Sequence, residues 1–162
     1  MLIRQYMMDD PENFYLLNSD EEVMRYIRPV QSKEDTFAFF LENVEYYKTF
    51  PLYGRWAMIE KSNKQFIGSF MLRPSTAIEG NIELGYAMFK NFWGNGFATE
   101  SVQGGLGYAF DQLKLQTVIA ITQLQNTASQ KVLLKCGFAR QKNIEDKGET
   151  VNLFRKLRPA HG

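Results

Sequence analysis

A strand–helix–strand pattern in the second half of the chain constrains the fold more than any other feature. Residues 81–89 are predicted as a strand, and from Ala98 apolar side chains recur at helical spacing as far as Leu113. Residues 117–122 then form a short β-branched run, as expected for a central strand buried on both faces. Because a helical crossover joins them, the two strands should be parallel and adjacent in one sheet.

The remaining pattern predicts helices in the first half of the chain and antiparallel strands around the crossover. Three helices are expected there, each beginning behind a capping residue: Asp10, Asp20 and Ser32. The third should bury a stripe formed by Phe37, Phe40, Leu41, Val44 and Tyr47. Further strands are predicted at residues 2–6, 56–59, 65–72, 139–144 and 150–157, with a last helix at 127–136.

Cysteine and histidine are so scarce that several classes of catalytic and metal-binding site are excluded. Cys136 is the only cysteine and His161 the only histidine. An internal disulfide, a multi-cysteine metal site and a histidine-based catalytic triad are therefore not expected. The formal net charge of +1 shows no basic excess, which argues against nucleic acid as the main ligand.

The hydrophobic residues are distributed as in a globular protein rather than a membrane protein. No apolar run approaches the about 18 residues of a membrane span, and the first residues lack the pattern of a signal peptide. We expect a cytoplasmic protein that does not bind membranes. Since no linker or repeat divides it, residues 1–162 should form a single domain, with an ordered core at about residues 1–157.

The loop at residues 90–100, between the predicted strand and helix, is rich in small side chains. Gly94, Gly96 and Ala98 alternate with larger residues, so a ligand can approach the backbone closely. Free N–H groups in the first helical turn, together with the helix dipole, favour a phosphate group there. A hairpin turn is the alternative that the Asn95-Gly96 pair favours, but it does not explain the helical stripe that follows.

A second polar cluster, residues 125–130, follows the buried strand. Taken alone, Asn126 is best explained as a helix cap, and Thr127 and Gln130 have the spacing of a capping box. The position of the cluster changes the interpretation, because ligands bind where parallel strands end beside helix starts. The cluster is therefore a second candidate for ligand binding.

Together these motifs resemble the GNAT superfamily of N-acetyltransferases. The resemblance rests on three segments, Ile82-Glu83-Leu84-Gly85-Tyr86, Trp93-Gly94-Asn95-Gly96-Phe97-Ala98-Thr99-Glu100, and Asn126-x-x-Ser129 with Lys135-x-Gly137-Phe138. It extends over nearly the whole chain. Within the superfamily, the chain looks most like the ribosomal-protein N-terminal (RimJ/RimL-type) branch.

The resemblance implies a mixed α/β fold that binds acetyl-coenzyme A (acetyl-CoA) and no metal. Its central sheet would be mostly antiparallel, with about six to seven strands, helices on both faces and one parallel pair splayed to hold the cofactor. Backbone N–H groups of the strand would face the thioester, and those of the loop would hold the pyrophosphate. The implied cofactor-binding residues are Gly85, Tyr86, Ala87, Met88, Trp93, Gly94, Asn95, Gly96, Phe97, Ala98, Thr99, Asn126 and Ser129.

The implied reaction is transfer of the acetyl group to a primary amine by direct attack in a ternary complex. Many members place a tyrosine where this chain has Leu133, so Ser129 becomes the candidate that hydrogen-bonds the sulfur. Glu83 is our candidate general base, directly or through water, although an ordinary polar strand position is an equal alternative. Tyr86 and Cys136 are expected to pack in the core.

The acceptor is the least constrained part of the interpretation. A protein N-terminus and a small-molecule amine both remain open, as do a monomer and a homodimer. Helix starts are the favoured explanation of an early group of acidic residues, which would also suit a cationic acceptor: Asp9, Asp10, Glu12, Asp20, Glu21 and Glu22. A non-catalytic acyl-CoA-binding sensor that regulates a partner is the alternative function.

Three glycines inside the predicted helix, Gly104, Gly105 and Gly107, have no functional explanation. Each should cost about 1 kcal/mol relative to alanine in a helix. Close packing of the helix on the sheet is the expectation that accounts for them.

Overall fold

One mixed sheet organises the computed structural model, which describes residues 1–160; His161 lies outside the described residues. A 3₁₀ turn at Lys90–Phe92 precedes the fourth helix and a π-helical turn at Tyr108–Gln112 extends it. The elements are β1 (Leu2–Gln5), α1 (Pro11–Asn18), α2 (Glu21–Met24), α3 (Lys33–Thr49), β2 (Gly54–Ile59), β3 (Phe66–Pro74), β4 (Ile82–Met88), α4 (Phe97–Gly107), β5 (Thr117–Gln123), α5 (Thr127–Lys135), β6 (Ala139–Arg140), β7 (Ile144–Asp146) and β8 (Glu149–Leu157).

The order of the strands confirms the predicted crossover. The sheet runs β1-β2-β3-β4-β5-β8-β6, and β7 also pairs with β8. Among these pairs only β4 and β5 are parallel, and α4 lies between them in the chain. The mixed α/β fold with one parallel pair is therefore as predicted from the sequence.

The number of strands is eight within residues 1–160, rather than six to seven, because a predicted strand is split. Both pieces, β6 and β7, pair with β8. Arg140 lies opposite Phe154, whereas Ile144 lies opposite Val151, so the register shifts by one residue between them. Such a shift interrupts the ladder and bends the strand.

The buried face of α3 is only partly the predicted one: Phe40 and Tyr47 are buried and Val44 packs against the core, as expected. Phe37 and Leu41 are exposed, and the buried residues are Thr36, Phe40, Asn43 and Tyr47. Asn43 faces inward because its amide, like the Tyr47 hydroxyl, donates a hydrogen bond to the carbonyl oxygen of Arg55. Burying a hydrogen-bonding face satisfies a backbone group beneath the helix.

Side chains of β3 divide between two helical layers. Phe70 faces α4 so closely that a Cβ on Gly105 would lie 2.3 Å from its ring. The hydroxyl of Ser69 points to the other side, where it pairs with Tyr6, whose ring packs against α1 and α3. Close packing thus explains Gly105. A Cβ on Gly104 or Gly107 would meet open space, and nothing in the structure explains those two.

Candidate active site

The candidate active site is a gap between β4 and β5. Their parallel ladder contains the single pair Glu83–Ile119, although each strand has seven residues. Beyond that pair, side chains from both strands line a cleft of about 460 Å³, which is large enough for a small-molecule ligand. This arrangement matches the implied splayed pair.

The hydrogen bonds at the two ends of β4 show which backbone groups face the gap. Phe89 N–H donates to the Ile67 oxygen over 3.1 Å, and at the other end Ser75 N–H donates to the Asn81 oxygen over 2.8 Å. Backbone groups of an antiparallel strand alternate between its two edges. Odd-numbered residues of β4 therefore bond β3, and even-numbered residues point toward β5.

This alternation refines the predicted oxyanion-binding segment. Gly85 and Ala87 direct their N–H groups to β3, opposite Met71 and Ser69. Tyr86 and Met88 are left to direct their N–H groups into the gap. Of the four predicted strand residues, these two have backbone donors available to a ligand there.

The loop before α4 has the backbone geometry of an anion site. Gly94 and Gly96 adopt left-handed φ angles of 75° and 82°, and a Cβ on either would meet open space. The first N–H groups of a helix have no intrahelical partner. Gly96, the residue before α4, has no side chain that could cap them. The hairpin alternative is excluded because α4 begins directly at Phe97.

Trp93 ties this loop to the end of β4. Its indole N–H donates to the Met88 oxygen over 2.9 Å, although about half of the residue is exposed. The loop is tied to α2 as well, because the Lys90 ammonium lies 2.8 Å from Glu22. These contacts hold the glycines beside the gap.

On the α5 side of the gap, Ser129 meets Tyr86. The two hydroxyl oxygens are 3.1 Å apart. Burial raises the pKa of the Tyr86 phenol, and the Ser129 hydrogen bond opposes that rise. Asn126 accepts the Ser129 N–H over 3.2 Å, so its side chain acts as the helix cap that the sequence allowed, although it also lines the cleft.

Glu83 lies on the opposite face of β4, toward α1–α3. Burial raises the pKa of its carboxyl group, a 2.7 Å hydrogen bond from Ser75 lowers it, and the charge of Asp146 raises it further. The net effect is a raised pKa, which suits a carboxylate that must accept a proton.

Sequence reasoning missed three arginines of the cleft: Arg28, Arg55 and Arg73. For Arg55 and Arg73 the available signal was a charged residue within an otherwise apolar strand, whereas Arg28 lies in the loop after α2 and gave no such signal. The acidic residues at the N-terminal end, by contrast, do not line the cleft: Asp20 caps α2, and Asp10 pairs with Arg4 over 2.7 Å instead of capping α1.

Cys136 packs in the core beneath this region. It is buried, and burial raises the pKa of its thiol. A thiol of raised pKa is a poor nucleophile at neutral pH. Its environment is that of a packed residue, as predicted.

Comparison with known proteins shows the family. The acetyltransferase (GNAT) domain model matches residues 1–139. The N-acetyltransferase YnaD of Bacillus subtilis is 30% identical over 87% of this chain and 80% of its own length. The chain therefore belongs to the GNAT acetyltransferase family, whose members are acetyl-CoA-dependent acyltransferases.

Solved structures show the same fold. A GNAT-family acetyltransferase from Bacillus anthracis superposes with a TM-score of 0.80 at 26% identity, covering 96% of this chain and 93% of that one. Spermidine N-acetyltransferase from Vibrio cholerae, solved with CoA and spermine, gives a TM-score of 0.79 at 19% identity, covering 97% and 95%.

Two absences concern the described part of the chain only. No helix within residues 1–160 has the length and apolar character needed to cross a membrane. The same residues contain no group of three or more His, Cys, Asp or Glu side chains placed to hold a metal ion.

Proposed function

We propose that this acetyltransferase transfers the acetyl group directly to a primary amine within a ternary complex, with Glu83 and Ser129 on opposite sides of the thioester. The observation that carries the proposal is the arrangement around β4. Glu83 faces the α1–α3 side of the strand, and Tyr86 with Ser129 faces the α5 side. An amine can then approach from one side while the thiolate leaves on the other.

The residues of the gap fit acetyl-CoA. Beyond the single β4–β5 pair, the backbone groups of Tyr86 and the Met88 N–H can pair with the pantetheine arm as a neighbouring strand would, whereas the Met88 oxygen accepts the Trp93 indole N–H. The left-handed Gly94 and Gly96 and the first turn of α4 offer backbone N–H groups to a pyrophosphate. Acetyl-CoA supplies the activated acyl group. The chain supplies its position and the proton transfers.

Each named residue has one role in the proposed reaction. Glu83 accepts the proton that the amine loses as its nitrogen bonds the carbonyl carbon. The N–H groups of Tyr86 and Met88 donate to the thioester oxygen as negative charge develops on it. Ser129, oriented by the Tyr86 phenol, donates to the sulfur as the carbon–sulfur bond breaks.

The RimJ/RimL-type assignment is part of the same proposal. It is supported by Trp93 in the loop and by a serine, rather than a tyrosine on α5, beside the gap. The spermidine N-acetyltransferase likeness supports amine acceptors in general. It does not select a polyamine for this chain, whose cleft is lined by Arg28, Arg55 and Arg73.

The test starts with purified protein and acetyl-CoA. Calorimetric titration should give saturable one-to-one binding, and release of free CoA thiol should depend on both an added amine and the enzyme. Glu83→Gln should retain binding and lose turnover. Binding without turnover of any amine would instead favour the acyl-CoA sensor, and absence of binding would refute the proposed site.

A further inference from the structure

Three arginines line the acceptor side of the cleft at short range from each other. Arg28 follows α2, Arg55 lies on β2 and Arg73 on β3. The guanidinium carbons of Arg28 and Arg55 lie 5.2 and 5.0 Å from the ring centre of Phe39. Arg73 lies at 5.2 Å from the ring of Tyr46. Aromatic rings of α3 thus hold the guanidinium groups in place.

Among the described residues, none of these three charges forms an ion pair with a carboxylate, although the nearby charge of Glu83 raises the pKa of Arg55 and so offsets part of the effect of burial. Arg28 donates to the neutral amide oxygen of Asn18 over 2.8 Å, and its Nε is buried without a hydrogen-bond partner. Burial, together with the charges of Arg28 and Arg73, lowers the pKa of Arg55 to about 10. The three residues are half-buried, and guanidinium groups removed in part from water without an ion pair are stabilised by an anion.

The register of the sheet places these charges beside the proposed reaction. Arg73 lies opposite Glu83, and Arg55 lies opposite Met71, which lies opposite Gly85. Neighbouring strands are about 4.8 Å apart, so the positive region begins about 5 Å from β4 and extends to about 10 Å. That span is the length of a small molecule.

The cleft is acidic on the side of the β7–β8 hairpin, where Asp146 and Glu149 line it. Lys147 is the one cation that the hairpin adds to this lining. Glu83 lies between the hairpin carboxylates and the arginines, since the charges of both Asp146 and Arg55 act on it. The charge of the cleft therefore changes sign next to the proposed general base. A molecule with an amine at one end and an acid group at the other complements both sides.

We propose that the acceptor is a small amine that also carries a carboxylate or phosphate group, which Arg28, Arg55 and Arg73 bind. This inference rests on the proposed function, since it names the substrate class of the same site. The guanidinium fork matches either anion through paired hydrogen bonds. The proposed acceptor carries a negative group and is therefore opposite in charge to the cationic acceptor that the acidic N-terminal residues would suit.

The first experiment compares four amines of equal chain length in low-salt buffer: aminohexanoate, aminohexyl phosphate, hexylamine and diaminohexane. We expect kcat/KM to be highest for the two anionic compounds and lowest for diaminohexane. The ranking of carboxylate against phosphate identifies the anion. Preference for diaminohexane or hexylamine over both anionic compounds would overturn the inference.

The second experiment tests the arginines themselves. Arg55→Met and Arg73→Met should each lower the ratio of kcat/KM for the better anionic amine over hexylamine by roughly 10- to 100-fold, as expected for lost hydrogen bonds to a charged group. The ratio cancels any loss of folded protein. The ratio for Arg55→Lys should lie between those of the unsubstituted enzyme and Arg55→Met. The control Arg25→Met, at an exposed position, should leave the ratio unchanged. An unchanged ratio in both methionine variants would mean that the arginines are structural.

A binding measurement separates this inference from the proposed function. Calorimetry with aminohexyl phosphate, in the presence and absence of CoA, needs no turnover. If acetyl-CoA binds and no amine is acetylated, the proposed function fails, while binding of this probe that Arg55→Met abolishes still supports the anion site. If amines are acetylated but the probe does not bind, the inference alone fails.

Discussion

The phenol oxygen of Tyr86 on β4 and the hydroxyl oxygen of Ser129 on α5 lie 3.1 Å apart. The two residues are separated by 43 positions in the chain, and the fold brings them together beside the cleft, where we propose that the thioester sulfur binds. Leu133 occupies the position of the tyrosine that many family members carry on this helix. In this chain the phenol beside Ser129 comes from β4 rather than from α5.

Ser129→Ala should slow acetyl transfer while leaving acetyl-CoA binding largely unchanged. The lost hydroxyl removes a hydrogen bond to a sulfur that gains charge, which predicts a decrease in kcat of roughly 10- to 100-fold. Steady-state kinetics and calorimetric titration measure the two effects. Equal kcat values with and without the hydroxyl would exclude Ser129 from the reaction.

Tyr86→Phe should reduce kcat through the same contact. Because the phenol orients Ser129, the decrease in kcat of the double variant relative to the unsubstituted enzyme should be smaller than the product of the two single decreases. Complete independence of the two substitutions would show that the phenol acts separately. Tyr15→Phe, a substitution at a partly exposed tyrosine of α1, serves as the control and should leave kcat unchanged.

Glu83 predicts the pH dependence. The base must be ionised, so kcat/KM should fall as pH decreases through the pKa of Glu83. Burial raises that pKa, so this acidic limb should lie above the ordinary range of a glutamate. Measured against pH, the limb should disappear in Glu83→Gln together with most of the activity. An identical acidic limb in this variant would assign it to another group.

Ser75→Ala tests the same assignment without removing the carboxylate. The Ser75 hydroxyl donates to Glu83 over 2.7 Å and lowers its pKa. Loss of this hydrogen bond should move the acidic limb to higher pH, while the plateau above it is retained. A shift to lower pH, or none, would contradict Glu83 as the base.

Gly96 tests the phosphate loop through charge. Its left-handed φ of 82° strains most substitutions, but Asn and Asp tolerate that region and have the same shape. Gly96→Asp should weaken acetyl-CoA binding far more than Gly96→Asn, because only Asp adds a negative charge beside the pyrophosphate. Similar Kd values for the two variants would show that the phosphates bind elsewhere.

Local sequence patterns predict the elements that position the site. The helical spacing of apolar residues after Ala98 and the β-branched run that ends at Thr122 are patterns within short segments of the sequence. They predict α4 and β5, and the crossover and the parallel pair follow from these two elements. The loop glycines are also a local signal, since glycine is the residue that adopts the left-handed angles of positions 94 and 96 without steric cost.

The acceptor side depends on contacts that local patterns do not contain. Arg55, Arg73 and Glu83 share a face only because of the register across three strands, and a slip of one residue would reverse it. The prediction that Phe37 and Leu41 lie on the buried face of α3 was wrong for a similar reason. Asn43 and Tyr47 turn inward to satisfy the carbonyl of Arg55, a partner that lies beyond the helix.

The glycines of α4 predict opposite effects on stability from the same substitution. Gly105→Ala places a methyl group 2.3 Å from the ring of Phe70, which is fully buried and stacked on Trp56 at 6.0 Å. The ring has little room to move, so overpacking should reduce the free energy of unfolding by about 1–3 kcal/mol. Urea denaturation followed by circular dichroism measures the change.

Gly104→Ala is the matched control, one residue earlier in the same helix. A Cβ there meets open space and the backbone angle is helical, so the higher helix propensity of alanine should increase the free energy of unfolding by about 0.5–1 kcal/mol. Opposite signs for the two variants would establish that α4 packs on the sheet through Gly105. Stabilisation by both would mean that Phe70 moves aside, and that this contact does not set the distance between α4 and the sheet.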